Sequence, residues 1–168
     1  YKVPKKMLDD FFEHEFKDCL VGKADAKQHL KRYLSEYDLD LAVGLIFESW
    51  FSYGFTDMEI VAFIEELRKK GIICVLCTNN EKYRVKHFKD KHDFGKVFDL
   101  IIASSDVGHK KPETEMLKLI EKRLKLQKEN ILFCDDDLSN CSAAKEFGFL
   151  VHQYKNIDEF KRVVEDEL

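Results

Sequence analysis

The 168-residue sequence lacks any apolar run near the roughly 20 residues that cross a bilayer as a helix. It also lacks a positive excess. Lys and Arg number 28 against 32 Asp and Glu, for a formal net charge of −4. That balance argues against a nucleic-acid or anionic-membrane surface. No internal repeat, low-complexity tract or signal peptide is visible. The six histidines, His14, His29, His87, His92, His109 and His152, show no metal-ligand spacing with cysteines or carboxylates.

What remains is a globular composition. Hydrophobic residues at 45% suffice for a real core, and the length suits one domain or one domain with a small appendage. The cysteine count, five, is odd, and three cysteines lie in or beside apolar runs. They read as reduced, buried thiols of a cytoplasmic protein. Cys74 and Cys77 form a C-x-x-C string, but positions three apart on a strand face opposite sides, which disfavours a shared metal or disulfide. The terminal Glu165-Asp166-Glu167-Leu168 echoes an ER-retention tail and reads instead as the end of an acidic helix.

The pattern changes near Gly54, which predicts a small helical bundle over 1–54 and an α/β core over 55–168. Leu8, Phe11, Phe12, Phe16, Cys19 and Leu20 recur at helical spacing, and Gly22 stops that helix. Ala26, Leu30, Tyr33 and Tyr37 form a second stripe, and Leu41 to Phe51 a third helix. Trp50, Phe51, Tyr53 and Phe55 read as the seam between bundle and core. Downstream, Thr56 and Glu59 form a capping box before the stripe Ile60, Phe63, Ile64 and Leu67, which ends at Gly71. Strands are expected at 72–77, 98–103, 131–134 and 149–152. The helices between them run from about Glu81 to His92, through Met116, Leu117, Ile120 and Leu124 after Pro112, and through Ala143, Ala144 and Phe147 up to Gly148. Asn156 and Glu159 cap a last helix, with Phe160, Val163 and Val164 inward. Lys89 to Asp93 reads as a solvated face. Continuous apolar strands separated by helices imply a Rossmann-like parallel sheet covered by helices on both faces.

In such a sheet, ligands sit beyond the carboxyl ends of the strands. Thr78 and Asp135 occupy such ends. Thr78 offers a hydroxyl, and the amides of Asn79 and Asn80 can point at an anion. Lys111 can neutralise an anionic oxygen. Asp135 and Asp136 offer the hard oxygen ligands that magnesium prefers. Each signal is weak alone; the ordered set suits a site for magnesium and a phosphate ester.

Three segments resemble the second, third and fourth signatures of the haloacid dehalogenase-like hydrolase superfamily: Leu76-Cys77-Thr78-Asn79-Asn80, Ser105-Asp106-Val107-Gly108-His109-Lys110-Lys111-Pro112, and Leu132-Phe133-Cys134-Asp135-Asp136-Asp137-Leu138-Ser139-Asn140. The Ala143-Ala144 pair and Gly148 also match, and the helical half resembles the four-helix cap of many members. The resemblance implies that Thr78 holds phosphoryl oxygens and Lys111 steadies the nucleophile and the transferring group. It implies that Asp135 binds Mg2+ with Asp136 sharing or supporting that role, and that the partner is a small-molecule phosphate ester. Asp137 falls at a variable position, and Lys110 reads as a surface lysine.

The first signature, which supplies the attacking aspartate, is expected before the cap on an upstream segment. Its strand belongs centrally, between those ending at Thr78 and Asp135. The string Asp38-Leu39-Asp40 follows an amphipathic helix rather than a buried strand, and reads as a cap for the next helix. The leading expectation is a magnesium-dependent phosphatase. The alternatives are a metal-independent haloacid dehalogenase and a non-catalytic binding module of the same fold. The sequence names neither the substrate nor the oligomeric state.

Overall fold

The first apolar stripe forms a helix, but with one residue more per turn at its centre. In the computed structural model, which describes residues 3–54 and 56–167, α1 (Lys5–Asp10) runs into a π-helical turn at Phe11–Glu15 and then into α2 (Phe16–Leu20). The Phe16 amide bonds to the Phe11 carbonyl, a spacing of five. The wider turn resets the helical phase. Met7, Phe11 and Cys19 are therefore buried while Phe12 is partly exposed.

α3 (Ala26–Glu36) and α4 (Val43–Ser52) complete the bundle. Its core gathers Met7, Phe11, Leu30, Leu34, Phe47 and Phe51. Asp25 starts α3, its carboxylate accepting from the amides of Lys27 and Gln28 at 3.0 Å. Asp38 and Asp40 do not cap α4. Asp38 sits in the left-handed turn after α3, and the residue before α4 is Ala42, with no side-chain bond. Trp50 and Phe51 pack against the bundle core, and the Phe51 ring centroid lies 5.0 Å from that of His87. Tyr53 is 84% exposed and takes no part, because α4 ends one residue before it. Phe55 lies outside the described residues.

α5 (Met58–Lys69) is capped by Asp57, not by a Thr56–Glu59 box. Asp57 accepts from the amides of Glu59 and Ile60, while the Thr56 hydroxyl is taken by His92 Nδ1 at 2.7 Å. The chain then enters β1 (Val75–Thr78), α6 (Lys82–Lys91), α7 (Phe94–Val97), β2 (Leu100–Ala103) and the short α8 (Ser104–Val107). β1 and β2 pair in parallel, with Thr78 opposite Ala103. Next come α9 (Thr114–Leu124), β3 (Leu132–Asp135), α10 (Leu138–Phe147), β4 (Leu150–Gln153) and α11 (Ile157–Glu167). β3 and β4 also pair in parallel, with Asp135 opposite Gln153. Pro112 lies ahead of α9 in a turn closed by the Glu113 amide on the Lys110 carbonyl at 2.8 Å. Asn156 caps α11 as expected, accepting from the Glu159 amide.

The fold is therefore mixed α/β with parallel strands. Among the described residues the four strands form two separate pairs rather than one sheet. The chain divides into two compact units, Tyr1–Gly108 and His109–Leu168. The first holds the bundle and the β1–β2 pair. In the second, Met116, Leu117, Ile120, Phe133, Ala144 and Phe149 are buried. Among the described residues no helix is long and apolar enough to cross a membrane.

Within the first unit, Asp25 clamps the bundle to α6. It accepts from Lys82 Nζ at 2.6 Å and from the Tyr83 hydroxyl at 2.8 Å. Burial alone would raise its carboxyl, but the Lys82 bond, the Gln28 amide and the Tyr83 hydroxyl together lower it to about 2. A depressed carboxylate stabilises the fold above its unfolded value, and that contribution fades as pH falls from about 4 towards 2. Lys82 is about half exposed, so solvent screening trims the effect to roughly 1–2 kcal/mol. Asp25→Asn is expected to lower Tm by a few degrees at pH 7 and by clearly less, about a third as much, near pH 2.5. An equal loss at both pH values in thermal melts would remove the charge from the account.

Candidate active site

Thr78 closes β1, and Asp135 closes β3. Both residues therefore stand at carboxyl ends of parallel strands, the expected edge for a ligand. Thr78 and Asn79 belong to the first unit; Lys111, Asp135 and Asp136 belong to the second.

In the first unit, Thr78 is buried, and its hydroxyl accepts from Asn80 Nδ2 at 2.5 Å. Asn79 lies between them in the loop that leads to Glu81. Glu81 caps α6, each carboxylate oxygen taking one backbone amide at 2.7 Å, from Tyr83 and Arg84. Burial pushes its carboxyl up against those two bonds. The Ser104 hydroxyl reaches the Asn80 carbonyl at 3.5 Å, tying the loop to the end of β2.

In the second unit, Lys111 Nζ lies 2.6 Å from Asp135 Oδ2, the two side chains being 15% and 5% exposed. Asp135 Oδ1 accepts from the Asp137 amide at 3.0 Å and from Asn140 Nδ2 at 3.1 Å. Burial raises the Asp135 carboxyl, but Lys111, Asn140 and the Asp137 amide outweigh it and hold the group below the usual carboxylate range. Asp137 caps α10 through the Ser139 amide at 2.7 Å. The Asp136 side chain is exposed, and its main-chain carbonyl accepts from Gln153. The structure thus brings Lys111 and Asp135 together and leaves the Asp136 carboxylate in solvent.

Asn140 is the residue that sequence reasoning missed. A signal was there: Asn140 and Ala144 share one helical face, and a polar residue on a buried face needs a polar partner. Asn140, Cys141 and Ala144 are the buried residues of α10.

The donor set can be tested against magnesium. A carboxylate has about four lone-pair positions. Three internal donors reach Asp135, which leaves one position on Oδ2. Among the described residues no group of three His, Cys, Asp or Glu converges. Magnesium keeps several waters and takes one or two protein carboxylates, so one ionised buried carboxylate beside one exposed carboxylate fits it.

The family model of haloacid dehalogenase-like hydrolases matches residues 49–148. Over 88 residues the chain is 31% identical to an (S)-2-haloacid dehalogenase of Pseudomonas putida, covering 52% of this chain and 39% of that protein. Over 82 residues it is 34% identical to a phosphoglycolate phosphatase of Salmonella typhimurium (strain LT2), covering 49% of this chain and 32% of that protein. The chain thus spans less than half the length of the curated relatives it matches. A HAD family enzyme of Bacteroides thetaiotaomicron superposes with a TM-score of 0.83 at 17% identity, covering 95% of this chain and 82% of that one. The same enzyme in complex with magnesium and inorganic phosphate gives 0.75 at 17% identity, covering 91% and 87%. Such identities speak for the fold alone, whereas the family match takes in Thr78, Lys111 and Asp135 and covers more than half of the sequence: the chain belongs to the haloacid dehalogenase-like hydrolases.

Proposed function

We propose that the protein is a magnesium-dependent phosphatase of small phosphate esters. The observation that carries this is the buried Lys111–Asp135 pair with Asn140 behind it, a cation held beside an ionised carboxylate at a strand end. Thr78 and the amides after it, Asn79 among them, hold phosphoryl oxygens. Lys111 steadies the transferring group. The attacking aspartate comes from a segment upstream of Tyr1. Its carboxylate oxygen bonds to phosphorus as the bond from phosphorus to the ester oxygen breaks, a general acid on the same segment gives the departing oxygen its proton, and water then cleaves the aspartyl-phosphate to inorganic phosphate and free aspartate. Asp135 and Asp136 would hold Mg2+, which would supply charge neutralisation at the phosphoryl oxygens. Residues 1–54 serve as a cap that excludes water and selects substrate, and 55–168 as the core. Among the described residues β1 and β3 each have one strand partner, and the nucleophile-bearing strand is proposed to take such an open edge. Among the described residues no disulfide joins the cysteines, and we place the protein in the cytoplasm with no nucleic-acid partner.

The likeness to phosphoglycolate phosphatases supports this reading, and the likeness to (S)-2-haloacid dehalogenases supports a second, hydrolysis of a carbon–halogen bond. Metal dependence separates the two. Phosphate release by the full-length protein is expected to rise with added Mg2+ and to vanish on chelation. Metal-independent halide release from 2-haloacids, without phosphate release from esters, would reverse the assignment.

A further inference from the structure

We propose that Asn80 is a positioning residue for the phosphoryl site: its side-chain amide turns the Thr78 hydroxyl so that the hydroxyl hydrogen is offered to the ligand. This rests on the hydrolase reading above. Thr78 ends β1, and Asn80 follows it by two residues in the loop that leads into α6. Asn80 Nδ2 lies 2.5 Å from Thr78 Oγ1. An amide NH2 group donates and has no lone pair to give, so the hydroxyl is the acceptor in this bond. A hydroxyl that accepts on one lone pair keeps its own hydrogen for another oxygen.

The acceptors of the loop are engaged elsewhere. Both carboxylate oxygens of Glu81 take backbone amides at 2.7 Å, from Tyr83 and Arg84. The fully buried Ser104 donates its hydroxyl to the Asn80 carbonyl at 3.5 Å, which holds the Asn80 main chain to the end of β2. Among the described residues Asn80 is the one hydrogen-bond partner of the Thr78 hydroxyl. Thr78 is buried at a carboxyl strand end, and a buried hydroxyl hydrogen calls for an acceptor. An anionic phosphoryl oxygen supplies one. The two bonds then run in one direction, from the Asn80 amide to the Thr78 oxygen and from the Thr78 hydrogen to the ligand, and each strengthens the other.

The same bond could also serve only to staple the loop. The two roles differ in what a carboxylate at position 80 does. Aspartate has the reach of asparagine but accepts only, so it re-forms the bond in the opposite sense and takes the Thr78 hydrogen. The staple survives, while the donor to the phosphoryl oxygen is lost. Alanine removes the staple and leaves the hydroxyl its hydrogen.

The test measures kcat/KM for p-nitrophenyl phosphate and the dissociation constant of inorganic phosphate, both on the full-length protein in Mg2+. Asn80→Ala should lower kcat/KM about fivefold, because the hydroxyl loses its orientation but not its hydrogen. Asn80→Asp should lower it about a hundredfold, the scale of one lost donor at a developing charge, and phosphate binding should weaken in the same order. A staple alone gives the reverse order, with Asn80→Asp near wild type and Asn80→Ala below it, and that result overturns the proposal. Thr78→Val removes the hydroxyl and keeps the shape. In that background Asn80→Ala and Asn80→Asp should agree within about twofold. If Asn80→Asp still falls far below Asn80→Ala there, its charge acts on the phosphate directly and the positioning role is overturned. Should Asn80→Asp not fold, Asn80→Ala decides alone: a loss that vanishes in Thr78→Val supports the proposal, and turnover equal to wild type overturns it. Wild-type protein that neither cleaves the ester nor binds phosphate would defeat the hydrolase reading itself.

Discussion

Lys111→Met is expected to reduce phosphate release by about a thousandfold, the scale on which one preorganised donor at a developing charge acts. The methionine keeps most of the side-chain volume, so the change removes the ammonium rather than the packing. It also strands Asp135, whose Oδ2 loses its 2.6 Å partner in a nearly closed environment. Breaking a buried pair from one side costs on the order of 3–5 kcal/mol when nothing else compensates. Here Oδ1 keeps the Asp137 amide and Asn140, so the loss should fall short of unfolding. The Asp135 carboxyl should move up from its depressed position, because burial remains and the strongest opposing interaction is gone. The pH dependence follows from that sign. In wild type the pair stabilises above the unfolded carboxylate value and weakens as pH falls. The variant should therefore show its largest Tm deficit near neutrality and a smaller one towards pH 3. Circular dichroism melts across pH, run beside phosphate-release kinetics, check both halves. Turnover like that of wild type would remove Lys111 from the chemistry, and a pH-independent deficit would remove the ion pair from the stability account.

Helical periodicity located the bundle because Ala26, Leu30 and Tyr33 must share one face to leave water, and all three are buried in α3; Leu34 joins them unforeseen, and Tyr37, just past the helix, is only partly buried. It failed at Phe12, since a π-helical turn changes the spacing and composition alone does not announce one. Capping was legible where one candidate stood alone, as at Asn156, and misread where two adjacent residues competed. Thr56 and Asp57 could each cap α5; the His92 ring 36 residues later claims the Thr56 hydroxyl, which no local pattern reveals. The same limit governs the site. Thr78 and Asp135 could be nominated because strand ends in an alternating chain are informative positions, and Lys111 through the Lys111-Pro112 segment that resembles a family signature. The difference between Asp135 and Asp136 was not, because adjacent carboxylates look equivalent until the strand turns one inward and the other to solvent. Asn140 was hidden for a related reason: its role is to serve Asp135, and only the first turn of α10 brings the two together.

That dependence makes Asp135→Asn the second large effect. Three donors surround the carboxylate: Lys111 Nζ at Oδ2, and the Asp137 amide with Asn140 Nδ2 at Oδ1. An asparagine has one acceptor oxygen and two N–H donors at its tip. If its oxygen faces the Asp137 amide and Asn140, its NH2 group meets the Lys111 ammonium, donor against donor. If it is flipped, two donors at Oδ1 lose their acceptor instead. Either way a buried group goes unsatisfied, which costs roughly 1–3 kcal/mol before the lost charge is considered. With the buried negative charge gone, the 2.6 Å ion pair between Lys111 and residue 135 is lost, and a cation would retain only the exposed Asp136 carboxylate. Turnover is expected to fall by about 10²–10³-fold, with Mg2+ no longer saturating in the range that saturates wild type. Combining Asp135→Asn with Asn140→Ala separates positioning from ligation. If Asn140 acts by orienting Asp135, its removal in the Asp135→Asn background should add little to the loss of activity, whereas alone it should weaken the apparent Mg2+ affinity by about tenfold or more, as loss of an orienting partner does. Additive losses in the double variant would mean that Asn140 acts on its own account, and an unchanged metal titration in Asp135→Asn would take Asp135 out of the site.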